Sequence, residues 1–293
     1  MVGTALAEHL AEAGYRVSRL TRPGAQAQAG DVVWDPNSAT ADVKGMEGFD
    51  AVVNLNGASV AGKRWSRARK DVLRQSRLGP TRVLVDCMRR LEQKPKVFVS
   101  SSAVGLYGNR GDEVLTEESS IGTDFLAILA RGWESEARRG KTAAGIRTVI
   151  ARFGVIFSPE VGALAAMVRP FRMGLGGKLG SGKQWLPWVD IEDVVAILKM
   201  MIEEESLRGP VNVVAPNPVQ NAEFTRILAR VLKKWAIFPA PAFVLRAALG
   251  EMADGLLLAS QRAVPERLTK AGYAFRFAEV EASLRKNLLG ERG

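Results

Sequence analysis

The sequence is poor in the residues that most often carry reactive chemistry. Among 293 residues there is one histidine, His9, and one cysteine, Cys87. A zinc site, an iron–sulfur cluster and a supported Cys–His dyad are therefore excluded for want of ligands. A single thiol also excludes an intrachain disulfide, so nothing points to an oxidising compartment. Only three tyrosines, Tyr15, Tyr107 and Tyr273, are available as phenolic proton donors. No apolar run approaches the roughly 18 residues of a spanning helix. The opening Met1-Val2-Gly3-Thr4-Ala5-Leu6 lacks the basic start and sustained apolar stretch of a signal peptide. These absences predict a cytoplasmic protein with no metal and no membrane partner.

What remains is ordinary globular material. At 47% hydrophobic and 25% charged residues, the chain has ample core for one large domain or two lobes. The net charge of +10 is unevenly placed: residues 61–96 hold twelve basic and three acidic residues, an excess of nine. Such a stretch suits a nucleic-acid footprint, a funnel for an anionic ligand, or a solvated helix face with helix-end cations. Aromatics are scarce there (only Trp65), which argues against stacking of single-stranded bases.

Helical and strand periods alternate through the first half. Val2, Leu6 and Leu10 form one helical stripe stopped at Gly14, and Tyr15 to Leu20 alternates as a strand ending at Thr21-Arg22-Pro23-Gly24. Residues 49–55 read as a buried strand, 96–102 as the next, and 146–157 as another after a helix centred on 125–138. Between them a helix is predicted from about Pro80, with Val83, Leu84, Cys87, Met88 and Leu91 on one face. This succession predicts an α/β fold with a doubly wound parallel sheet. Later come a glycine-dense loop at 174–182, a helix near Glu192, a strand at 211–214, a helix capped by Asn221, and a largely helical tail from Phe243. The first lobe is expected to span 1–158, with 186–215 returning to it. A smaller, mostly helical substrate lobe would occupy 159–293, extended by helices from about 240.

Several segments carry a family likeness. Phe98-Val99-Ser100-Ser101-Ser102-Ala103-Val104-Gly105-Leu106-Tyr107-Gly108 resembles the active-site strand of extended short-chain dehydrogenase/reductases, and Arg152-Phe153-Gly154-Val155-Ile156 their next strand end. Gly180-Ser181-Gly182-Lys183-Gln184, then Trp188-Val189-Asp190-Ile191-Glu192-Asp193-Val194, resembles the substrate-side segment of sugar-nucleotide epimerases. Val33-Trp34-Asp35-Pro36, Trp133-Glu134, Pro170-Phe171-Arg172-Met173-Gly174 and Gly250-Glu251-Met252-Ala253 resemble one atypical epimerase-like branch with a helical C-terminal extension. Some relatives there carry a cell-division-inhibitor label. The likeness covers the chain from Gly3 onward. In this Rossmann-like family an opening strand and a glycine turn precede that point; the strand and most of the turn are expected to be missing from this sequence, with Gly3 as the end of the turn.

The resemblance implies a dinucleotide site at the ends of the parallel strands, formed by Gly3, Thr21, Arg22, Asn54, Leu55, Asn56, Gly57, Arg77 and Ile156. Arg22 stands where an acidic residue would bind a ribose hydroxyl, and an Arg there suits the 2′-phosphate of NADP, with NAD the other possibility. Arg22 and Arg77 also read as surface charges. The Tyr–Lys pair of the family, i and i+4 on one helix, is missing: that helix reads Phe125-Leu126-Ala127-Ile128-Leu129-Ala130-Arg131. Ser102 and Tyr107 are the remaining catalytic candidates, Ser102 as a hydrogen-bonding group and Tyr107 as a proton donor tuned by Arg131 or Lys183. They read equally well as a strand cap and a packing residue. Lys183, Gln184, Trp188 and Asp190 match the substrate side, and Asp193 reads as a helix cap. The resemblance implies an NADP-dependent oxidoreductase or epimerase acting on a small, anionic or nucleotide-linked carbonyl or hydroxyl compound. The other reading is a non-catalytic, NAD(P)-binding regulatory protein.

Overall fold

The computed structural model describes residues 1–24, 26–27, 30–36, 43–159 and 162–291. Helix α1 (Val2–Glu12) opens the chain, followed by short strands β1 (Leu20–Thr21) and β2 (Val32–Val33), which pair in parallel. Strand β3 (Ala51–Asn54), helix α2 (Arg67–Arg90), strand β4 (Val97–Ala103), the short strand β5 (Val114–Leu115), helix α3 (Phe125–Thr142) and strands β6 (Arg147–Phe153) and β7 (Val155–Phe157) follow.

The second half opens with helix α4 (Ala163–Arg172), strands β8 (Trp185–Leu186) and β9 (Trp188–Asp190), and helix α5 (Ile191–Glu203). Strands β10 (Gly209–Val213) and β11 (Val219–Gln220) lead into helix α6 (Asn221–Leu232). Helices α7 (Ala242–Leu249) and α8 (Glu251–Ala253) run into a π-helical turn at Asp254–Leu258. Strand β12 (Arg262–Ala263) and helices α9 (Glu266–Lys270) and α10 (Val280–Leu289) complete the fold.

The central sheet is parallel, in the order β10-β6-β4-β3. Alternation along its strands builds three layers. Val97 and Val99 of β4, with Val149 and Ala151 of β6, pack toward α1 and α5. Phe98 and Ile150 point the other way, among Leu84, Val85, Met88 and Ala137 of α2 and α3. Full burial of Phe98 and Ile150 is worth about 1.5–3 kcal/mol each, so two residues on neighbouring strands pin the helical layer. A separate core lies behind β7 and β9, where Phe157 and Trp188 stack at 5.5 Å among Leu164, Phe171, Phe224 and Leu284. Gly154 divides β6 from β7 because a Cβ there would stand 2.5 Å from the Pro187 carbonyl oxygen.

Three local readings need correction. The strand expected over Tyr15–Leu20 is confined to Leu20–Thr21, where β1 pairs with β2. Helix α2 does not start at Pro80 but thirteen residues earlier, where Ser66 Oγ accepts from Arg69 N (3.1 Å). Pro80 removes one N–H from the ladder without ending it. The turn is braced by the Thr81 hydroxyl, which donates to Arg77 O (2.7 Å), and by the Arg77 guanidinium, which donates to Leu73 O (3.2 Å). Asn221 does not cap α6; its Oδ1 accepts from Leu179 N (2.8 Å) and anchors the glycine loop instead.

Candidate functional site

The C-terminal ends of β3 and β4 meet the first turn of α1. Asn54, 2% exposed, fixes this edge: its Nδ2 donates to Thr81 Oγ1 (2.9 Å) and Ser100 Oγ (3.3 Å), and its Oδ1 accepts from Asn56 N (3.3 Å). Ser101 Oγ donates to Asn54 O (2.9 Å). The turn Leu55-Asn56-Gly57 is thus held in place, and a Cβ on Gly3 would lie 3.8 Å from Leu55 Cδ1.

Arg77 lies across this turn. A Cβ on Gly57 would sit 3.0 Å from the Arg77 Cζ, so glycine is what lets the guanidinium approach. Arg77 donates to Ala58 O (2.9 Å) and Leu73 O (3.2 Å) and lies 5.1 Å from the Trp133 ring centroid. It is only 9% exposed and has no carboxylate partner among the described residues. Burial, reinforced by the Arg69 cation, pushes its pKa down to about 10. Arg69 itself bonds the Ser59 carbonyl of the same loop. Two cations therefore converge on residues 57–59 with no acid between them.

The remaining cofactor-side candidates are spread along the sheet. Thr21 Oγ1 donates to Val32 O (3.5 Å), bracing the β1–β2 pair, and Arg22 is exposed just beyond it. Ile156 is half-buried in β7, paired with Val189.

Ser102 and Tyr107 belong to a buried polar network that the sequence did not assemble. Ser102 Oγ donates to Glu134 Oε1 (2.8 Å), which also accepts from Arg152 Nε (2.7 Å). Arg152 Nη2 donates to Glu134 Oε2 (3.0 Å), and its Nη1 to the Tyr107 hydroxyl (2.9 Å) and Glu117 O (3.1 Å). The Tyr107 hydroxyl donates to Asn212 Oδ1 (2.7 Å), and Asn212 N donates to Glu117 Oε1 (2.9 Å). Every one of these side chains is under 5% exposed. Burial raises the Tyr107 pKa, with Arg152 and Asn212 opposing it. Burial alone would lower that of Arg152, but the Glu134 carboxylate more than offsets it and holds the guanidinium charged. The cation on the phenol is Arg152, not Arg131 or Lys183, which are both exposed. Glu134 and Arg152 had been read only as family marks; their shared burial is a three-dimensional fact.

On the expected substrate side the four candidates part company. Lys183 is exposed. Gln184 is 8% exposed, and its Nε2 donates to Leu179 O and Leu257 O, both at 3.0 Å, tying the glycine loop to the π-helical turn. Trp188 is fully buried, its Nε1 donating to Asn217 O (2.9 Å). Asp190, also fully buried, caps α5 through Glu192 N (2.9 Å) and receives Ser283 Oγ and Asn287 Nδ2 from α10, each at 2.6 Å. The cap expected of Asp193 is therefore made by Asp190. Asp193 instead accepts from the Tyr273 hydroxyl (2.8 Å) and from Arg276 N and Phe277 N (2.9 and 3.0 Å), docking the tail. The C-terminal region also reaches the cofactor-side loop: Lys70 pairs with Glu251 (2.5 Å), and a Cβ on Gly255 would meet the Trp65 ring at 2.7 Å.

The NAD dependent epimerase/dehydratase family model matches residues 1–215, and a domain of unknown function matches residues 240–286. The chain belongs to the NAD dependent epimerase/dehydratase family. Epimerase family protein Mb2239 of Mycobacterium bovis is 41% identical over 97% of this chain and 93% of its own length. The crystal structure of human epimerase family protein SDR39U1 (isoform 2) with NADPH superposes with a TM-score of 0.90 at 31% identity, covering 99% of this chain and 97% of the human one. A nucleoside-diphosphate sugar epimerase from Corynebacterium glutamicum gives a TM-score of 0.82 at 33% identity, covering all of this chain and 57% of the other. Within this family, the helix that would hold the Tyr–Lys pair presents Phe125 and Leu129, which are buried with Leu73 and flanked by Trp65.

Proposed function

We propose that this family member binds NADPH at the strand ends around residues 54–59 and serves as an NADP-dependent oxidoreductase or epimerase. Its substrate would be a small, anionic or nucleotide-linked carbonyl or hydroxyl compound. The observation that carries the reading is Arg77, a buried guanidinium with no counter-ion among the described residues, held against Gly57 in the turn whose Leu55 meets Gly3 of α1. Charge so placed is stabilised by a phosphate and by little else nearby. The human relative's structure with NADPH, and the Corynebacterium neighbour's name, support the cofactor and the substrate class. When bound, the nicotinamide supplies the hydride chemistry.

The chain's own residues have narrower parts. Ser102 has committed its proton to Glu134 and offers lone pairs, which suit a substrate hydroxyl better than a carbonyl. Tyr107 is a positioning residue, holding Arg152 and Asn212 rather than exchanging a proton. Arg69 and Arg77 hold the phosphates, and Arg22 reads the 2′-phosphate. That so few groups are free for acid–base work favours a second reading, a non-catalytic NADPH-binding regulator.

One set of measurements separates these. NADPH binding is measured by calorimetry for the wild type and for Arg77→Ala, and NADPH oxidation is followed across a carbonyl panel. The proposal expects Arg77→Ala to weaken binding at least about tenfold, the loss of one charge-assisted contact. It expects turnover that survives Tyr107→Phe. Binding without turnover establishes the regulator. Unchanged affinity in Arg77→Ala and Arg22→Ala together overturns the site.

A further inference from the structure

The C-terminal region displays large apolar side chains where a folded surface ordinarily would not. Trp235 is 81% exposed, Phe243 72%, Met173 66% and Ile237 65%, and Leu175, Phe238 and Val244 are exposed beside them. They come from two stretches laid against each other: Phe238 N donates to Gly176 O (3.1 Å), Ala240 N to Lys178 O (2.9 Å), and Gly180 N to Ala240 O (2.9 Å). Gly177 permits the approach, since a Cβ there would overlap the Phe238 carbonyl. Helix α7, which continues the ribbon, buries none of its residues.

Charge separates this ribbon from the rest of the surface. Residues 162–189 contain four Lys or Arg and residues 224–250 five, and neither stretch holds an Asp or Glu. Arg226, Arg230 and Arg246 pair with acids outside the two stretches. Arg169, Arg172, Lys178, Lys183, Lys233 and Lys234 are exposed and form no ion pair among the described residues. A groove of about 510 Å³ between α6 and the 235–239 segment is lined by Lys178, Arg226, Lys234, Trp235 and Ile237.

We infer that this ribbon seats the protein on an anionic lipid surface. Exposed Trp and Phe belong at the boundary between headgroups and acyl chains, and lysines beside them meet the anionic headgroups. Exposed Ile237, Leu175 and Met173 gain from hydrocarbon but offer nothing to a nucleic-acid base, which stacks on aromatic rings. A rim whose six unpaired cations stand apart from the three acids already held by Arg226, Arg230 and Arg246 likewise favours an anionic surface over a second, equally basic copy of this chain. The contact is peripheral: among the described residues, no helix is long and apolar enough to cross a membrane. The surface was not foreseen from the sequence, where Phe243 opens a segment that reads only as helical tail and Trp235 precedes it.

The test is co-flotation of the full chain with vesicles of phosphatidylcholine alone and of phosphatidylcholine mixed with phosphatidylglycerol. The wild type is expected to float with the anionic vesicles only. Trp235→Ser and Phe243→Ser should each reduce partitioning about tenfold, from the side-chain area no longer buried. Lys233→Glu/Lys234→Glu should do the same and flatten the dependence on salt, by removing charge that attracts the headgroups. Absence of flotation overturns the proposal. So does flotation that none of these variants changes, or self-association of the wild type that Trp235→Ser abolishes. Binding of a generic oligonucleotide through the same residues, in place of vesicles, overturns it also. The outcome is independent of NADPH affinity, which the four substitutions leave untouched.

Discussion

Removing the Glu134 carboxylate should expose how much of the fold rests on the buried network. The carboxylate is 2% exposed and accepts from Arg152 through both oxygens, from Ser102, and from Arg138 (3.0 Å). Arg138 is half exposed, so its share is screened and worth little. Arg152 is 3% exposed, and in Glu134→Ala its guanidinium keeps only neutral partners, the Tyr107 hydroxyl and Glu117 O. Stranding one member of a buried pair costs about 3–5 kcal/mol, a large part of the ~5–15 kcal/mol that holds a typical domain together. Urea unfolding followed by tryptophan fluorescence and circular dichroism measures the loss directly. Replacing both partners, as Glu134→Leu/Arg152→Met, removes the charge along with its counter-charge. The double variant should therefore cost clearly less than the two single losses added together. A loss under about 1 kcal/mol in Glu134→Ala, or strict additivity in the cycle, would refute the claim that this pair is desolvated and coupled.

The other expectations are simpler. Tyr107→Phe leaves Asn212 Oδ1 without its donor and should lower stability by about 1–3 kcal/mol, visible in the same urea titration. Gly154→Ala places a Cβ 2.5 Å from Pro187 O and 2.8 Å from Val214 Cγ1; it should cost about 1–3 kcal/mol through overpacking, read as a lowered Tm. The Glu117 pKa is raised, chiefly by burial, although three backbone amides oppose the shift. A carboxyl whose folded pKa lies above its unfolded one binds protons more tightly in the native state. Its penalty is absent at pH below the unfolded value and grows as pH rises through the folded one. Glu117→Gln should therefore flatten the decline in urea midpoint between the ordinary glutamate range and neutrality; an unchanged pH profile would contradict the assignment.

Most of the sheet was legible because each strand carries its own signal. The strand over 96–102 and the i, i+4 stripe of Val2, Leu6 and Leu10 in α1 are local, and both lie where the sequence predicts. The start of α2 was missed because a proline at a helix start is the commoner event, whereas Ser66 as a cap stands in a run of charges with no apolar period. The network was missed for a different reason. Ser102, Tyr107, Glu134, Arg152 and Asn212 come from four elements and the turn after β4, and no spacing in the chain says that β10 lies beside β6. A buried Glu and a buried Arg each look like surface residues until the sheet order joins them.

Charge shows the same limit and refines the functional reading. The excess in residues 61–96 looked like one continuous basic surface. Folding offsets a few of these charges and disperses the rest: Lys70, Arg82 and Lys96 meet outside acids in Glu251, Glu136 and Asp50. What survives beside the strand ends is Arg69 and Arg77 on a three-residue turn, a charge density suited to phosphate groups rather than to a polynucleotide track. A second set of unpaired cations lies along residues 162–189 and 224–250, modest in the sequence because it is divided between distant segments. Those segments meet through the glycine loop and through α4 packed on α6, and they bring with them the most exposed large apolar side chains among the described residues. Two positive regions of different chemistry follow, a dry one with directed hydrogen bonds and a wet one with apolar neighbours. A rise in ionic strength should weaken the second far more than the first.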